Sequence, residues 1–151
     1  MISLELKETD LNELTIKTLI NEAIEARTRA YAQYLEFHTG AALITKDDKI
    51  FKGCNIQNAA MSPNICAERT AIFKAVSEGY KEFKAIAVVG GSSIKGIEDY
   101  CPPCGVCRQV MLEFCDPDKF YIILAKSDTD YKIYTLAQLI PLNFTNDNIN
   151  T

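Results

Sequence analysis

Three cysteines and one glutamate stand at spacings that suit metal chemistry. Cys66-Ala67-Glu68-Arg69 sets a thiol and a carboxylate two residues apart, and Pro103-Cys104-Gly105-Val106-Cys107-Arg108-Gln109 holds a C-x-x-C pair. Both segments open runs of good helix formers, so the thiols fall at predicted helix N-termini. Free N–H groups and the positive end of the helix dipole favour thiolate over thiol there, and thiolate is the form that binds zinc. Three thiolates on one Zn²⁺ leave a fourth tetrahedral position for water, which is what separates a catalytic zinc from a structural one. Zinc lowers the pKa of such a water from about 16 toward about 7, and three anionic ligands blunt the effect. Arg69 and Arg108 flank the thiol segments and are placed to offset that charge. Glu68, on the first turn of the Cys66 helix, is the candidate acid-base group.

Other uses of these residues compete. Cys101, three residues before Cys104, is an available fourth ligand for a structural zinc, and a lone C-x-x-C also suits a redox pair. Neither use needs a carboxylate two residues after Cys66. His38 is the only histidine and lies far from the C-x-x-C, so it is expected on the surface rather than beside a nucleophile. Cys54 and Cys115 read as small buried hydrophobes.

The elements that must position these groups follow from periodicity. Leu11 to Tyr34 repeats apolar residues at three- and four-residue steps without Gly or Pro, predicting an amphipathic helix. Gly40 to Ile44 and Lys49 to Ile56 read as a hairpin around Lys46-Asp47-Asp48. A second helix is predicted over Cys66 to Glu78, with Gly79 as its stop. Lys84 to Val89 reads as a buried strand, Gly90 to Pro103 as a loop, and Gly105 to Phe114 as a third helix. Phe120 to Ala125 and Tyr131 to Tyr134 are further strands, Leu136 to Ile140 a short closing helix, and Thr145 to Thr151 a polar tail expected to fray. Alternating helices and strands predict a sheet covered on both faces, a three-layer α/β/α sandwich with a mixed sheet of about five strands.

Composition bounds the partners. The 151 residues, 48% of them hydrophobic, match one domain, here 1–151, with a core that needs no disulfides. A balance of 16 Lys+Arg against 20 Asp+Glu, net −4, gives no basic surface for a nucleic acid polymer, so a small-molecule substrate is expected. No apolar run reaches membrane-span length, and Met1 to Asp10 lacks the pattern of a signal sequence, so the expected compartment is the cytoplasm.

Four stretches in order resemble the small homo-oligomeric cytidine deaminases, from about Tyr31 to Phe144. They are Tyr31-Ala32-Gln33-Tyr34-Leu35-Glu36-Phe37 with Gly40-Ala41-Ala42-Leu43, Gly53-Cys54-Asn55-Ile56-Gln57-Asn58-Ala59, Cys66-Ala67-Glu68-Arg69-Thr70-Ala71, and the Pro103 to Gln109 segment. The resemblance implies one Zn²⁺ per chain on Cys66, Cys104 and Cys107, with Glu68 as proton shuttle and Arg69 compensating charge. It implies a nucleoside held by Phe37, Asn55, Gln57 and Ala67, a homotetramer, and Phe144 reaching a neighbouring subunit's site. The reaction implied is hydrolytic deamination of cytidine or 2′-deoxycytidine. Gln57 departs by replacing a carboxylate with an amide, which puts sugar preference in question, and Gln33, Leu35 and Met61 depart in the pocket wall. Deamination of a modified aminopyrimidine nucleoside, or a non-catalytic structural-zinc module, remain the alternatives.

Overall fold

Asn12 caps the first helix: its Oδ1 accepts from the Thr15 amide at 2.7 Å, and Glu13–Arg27 (α1) follows. In the computed structural model, which describes residues 1–150, α1 buries Ile16, Leu19, Ile20, Ala23 and Ala26. It stops at Arg27, short of the predicted Tyr34, for a tertiary reason. The Arg27 guanidinium donates to the carbonyls of His38 (3.0 Å), Gly91 (3.0 Å) and Ser92 (2.7 Å), and Tyr31 leaves the helix to bridge with Ile56.

The remaining elements are β1 (Phe37–Thr45), β2 (Ile50–Cys54), α2 (Ala67–Ser77), β3 (Phe83–Ser92), α3 (Gly105–Phe114), β4 (Tyr121–Ser127), β5 (Asp130–Thr135), α4 (Leu136–Leu139) and α5 (Asn146–Ile149). The five strands form one mixed sheet in the order β2-β1-β3-β4-β5. Only β3 and β4 run parallel, joined through α3; the other pairs are antiparallel. Residues 85–89 of β3 are all buried because both faces of the sheet are covered.

Alternate strand residues feed two cores. On one face Ala42, Ala87, Val89 and Ile123 pack under Ile16, Leu19 and Ile20 of α1. On the other, Leu43, Ile86, Val88 and Ile122 pack under Ala71, Ile72, Met111, Leu112 and Leu136 of α2, α3 and α4. This is the α/β/α sandwich. Near the C-terminus Asn146–Ile149 forms a helical turn, at whose head Asn148 Oδ1 accepts from the Thr145 amide at 2.8 Å. Thr151 lies outside the described residues.

Candidate metal and acid-base site

The heads of α2 and α3 meet near the C-terminal end of β3. Cys66 and Cys104 are the respective N-cap residues, in extended backbone, while Cys107 sits on the first turn of α3. The Cys66 and Cys104 sulfurs are 3.7 Å apart, and all three sulfurs lie within 4.8 Å of one another. A tetrahedral ion with Zn–S bonds of about 2.3 Å sets its sulfurs about 3.8 Å apart, so this donor set fits zinc. Cys107 is buried, whereas Cys66 and Cys104 line a cavity, which leaves the cluster open on one side.

Charge is arranged around the thiols. Cys66 is held down to about 5, first by the hydrogen bond from the Cys107 thiol and, against its burial, by Arg69 and Cys104. Cys107, the donor of that pair, is pushed up. The Arg69 Nη2 lies 3.4 Å from the Cys66 sulfur, which sets its positive charge beside that thiol. The Arg108 guanidinium donates to Pro103 O at 2.8 Å and Leu139 O at 2.6 Å, tying the Cys104 segment to the end of α4.

Glu68 is 4% exposed. Burial pushes its carboxyl up to about 7, assisted by the Cys66 charge and opposed by a hydrogen bond from its own amide and by the Cys107 thiol. A carboxyl poised near neutrality can both take and give a proton. Cys101 stays outside the three-thiol group, and burial pushes it up to about 12, so it rests as a neutral thiol. Among the described residues the cluster therefore has no fourth protein ligand.

The cavity, about 260 Å³, is lined by Phe37, Thr39, Asn55, Gln57 and Glu68 among others. A larger groove of about 340 Å³ near Asp10 and Lys84 contains no thiol and lies apart from this chemistry. Asn55 staples the cavity's edge, accepting from the Thr39 amide and donating to the Phe37 carbonyl, both at 2.8 Å. Gln57 is equally engaged with Tyr34 and Leu35. Phe37 and Met61 are 46% and 47% exposed, so neither is core packing. Ala67 is fully buried at the first position of α2, and Phe144 is 59% exposed. His38 is half-buried rather than solvent-facing, Cys115 is buried, and Cys54 only partly so. Sequence reasoning missed Thr39, whose buried hydroxyl has no hydrogen-bond partner among the described residues; a lone Thr within a strand carries no signal of this.

An α/β/α sandwich that joins three thiols, an arginine and a buried carboxyl at two helix heads defines a zinc-binding class of protein. The model of the cytidine and deoxycytidylate deaminase zinc-binding region matches residues 14–124, and the chain belongs to that family. A cytidine deaminase of Sporosarcina psychrophila is 42% identical over 137 residues, 91% of this chain and 96% of that protein. One of Halalkalibacterium halodurans is 45% identical over 132 residues, 87% and 96% of the two chains. The crystal structure of a cytidine deaminase from Burkholderia pseudomallei superposes with a TM-score of 0.76 at 43% identity, covering 84% of this chain and 97% of that one.

Proposed function

We propose that this chain is a zinc-dependent cytidine deaminase that converts cytidine or 2′-deoxycytidine and water to uridine or 2′-deoxyuridine, respectively, and ammonia. The observation that carries the reading is a 96% buried carboxyl, Glu68, set against a three-thiol cluster open to a cavity. Cys66, Cys104 and Cys107 would hold one zinc, which would supply Lewis acidity toward water. Glu68 would take a proton from the attacking water and place it on ring N3 as the oxygen adds to C4. A second transfer, of the C4 hydroxyl proton through Glu68 to the amino group, would let the C4–N bond break as C4=O forms, and ammonia leaves. Arg69 balances the thiolate charge, Phe37 packs beside the base, Asn55 and Gln57 face the sugar, and the Ala67 backbone N–H at the head of α2 is available to the base.

The cavity, about 260 Å³, is below the roughly 300 to 1,000 Å³ of most ligand pockets, and Phe37 and Phe144 are among the three exposed phenylalanines, with Phe73. Both features favour a homotetramer in which Phe144 closes a neighbour's site; a monomer in sedimentation would contradict that assembly. Among the described residues no helix is long and apolar enough to cross a membrane, and the net charge of −4 disfavours polymer substrates. Free nucleosides in the cytoplasm are the substrates this reading assigns. Zinc-loaded protein given cytidine, 2′-deoxycytidine and a panel of modified aminopyrimidine nucleosides tests it through ammonia release and loss of absorbance. Turnover of the first two supports the reading, turnover of modified nucleosides alone redirects the substrate, and no turnover with one zinc bound favours a structural-zinc module.

A further inference from the structure

Gln57 is 8% exposed and lines the cavity beside Asn55 and Glu68. Its Oε1 accepts from the backbone amides of Tyr34 and Leu35, both at 3.0 Å, and its Nε2 donates to the Leu35 carbonyl at 2.9 Å. The two converging N–H donors fix which end of the amide is oxygen. Reversing it would set N–H against N–H twice and oxygen against oxygen once. The Leu35 carbonyl also accepts from the Phe37 amide at 2.7 Å, so the chain of bonds runs from Gln57 to the ring at the cavity's lip.

We propose that Gln57 is a positioning and specificity residue: it clamps the Tyr34–Leu35 segment behind Phe37 and offers the substrate one N–H donor and no acceptor. An amide oxygen has two lone pairs, and both are occupied; of the two Nε2 hydrogens one is used and one remains. Asn55 retains a free lone pair as well as a free N–H after its two backbone bonds. A sugar hydroxyl bridging the pair therefore accepts from Gln57 and donates to Asn55. This polarity rests on the nucleoside reading above; the clamp does not.

The test compares full-length, zinc-loaded wild type with Gln57→Ala and Gln57→Glu. In Gln57→Ala the Tyr34 and Leu35 amides exchange about tenfold faster by NMR, the loss of roughly one hydrogen bond, while the Ile86 and Ala87 amides of β3 keep wild-type rates. The same variant raises KM for cytidine more than it lowers kcat. Gln57→Glu exchanges a donor for an acceptor, so the ratio of kcat/KM for cytidine to that for 2′,3′-dideoxycytidine shifts by about tenfold. A purely structural residue would move both substrates together. Unchanged Tyr34 and Leu35 exchange in Gln57→Ala overturns the clamp, and a ratio unchanged within about twofold in Gln57→Glu overturns the donor role. If wild type turns over no nucleoside, the deaminase reading and the donor role fail together, and the exchange measurement decides the clamp by itself.

Discussion

Replacing Gly53 with Ala tests what seats the thiol-bearing helix on the sheet. A Cβ at this β2 position would lie 2.4 Å from Ala67 O, 2.6 Å from Ala71 N and 3.0 Å from Thr70 Cβ. Two of these atoms are backbone of α2's opening turns, so no side chain can swing aside to make room. To restore a contact of about 3.5 Å the turn must retreat by about 1 Å. That displacement carries Cys66 and Glu68 with it and stretches the 3.0 Å bond from Thr70 Oγ1 to Cys54 O. Overpacking of this kind costs about 1–3 kcal/mol of stability, and misplacing reacting groups by about 1 Å costs about a hundredfold in turnover. Gly40→Ala is the control: its Cβ would meet Ala23 O at 2.0 Å and Arg27 N at 2.6 Å, so it strains α1 on the opposite face. Urea denaturation, zinc competition against a chromophoric chelator and kcat are measured on both. Both variants lose stability, and only Gly53→Ala loses zinc affinity and turnover per folded molecule. Wild-type zinc affinity in Gly53→Ala, or an equal loss in Gly40→Ala, would refute the reasoning.

Two further outcomes follow from the site. Cys101→Ser keeps about one zinc per chain and Cys104→Ser loses it, because only the latter removes a member of the three-thiol group; equal zinc loss by elemental analysis would return Cys101 to the ligand set. Glu68 is raised from 4.5 to about 7, so folding favours its neutral form, and that contribution is present below about pH 4.5 and lost as pH rises through about 7. With the metal chelated, the stability of wild type relative to Glu68→Gln therefore falls by up to about 3 kcal/mol between about pH 5 and pH 8. Denaturation curves in which that difference stays flat or grows with pH would contradict the buried-carboxyl account.

The thiols and the carboxylate were legible because their grouping is local: a first helical turn brings Cys66 beside Glu68 and Cys104 beside Cys107. That the two turns face each other depends on the parallel β3–β4 pair, which the alternation of elements predicts as a class of fold rather than as a contact. The end of α1 was not legible. Nothing between Thr28 and Tyr34 breaks a helix, and the stop comes from carbonyls of β1 and β3 that capture Arg27. The partners of Arg108 were not legible, because sequence adjacency to a thiol segment does not say which way a guanidinium points. Gln57 was legible only as an amide in place of a carboxylate; the fold shows that two backbone amides, 22 and 23 residues away, occupy its oxygen.

The central claim is that Glu68 moves the proton at a zinc held by Cys66, Cys104 and Cys107. Its most direct test is cytidine turnover by wild type and Glu68→Gln, each with zinc content measured on the same sample. The account predicts about one zinc per chain in both proteins and a fall in kcat of at least about a hundredfold in the variant. A Glu68→Gln protein that binds zinc and keeps more than about a tenth of wild-type turnover would contradict it.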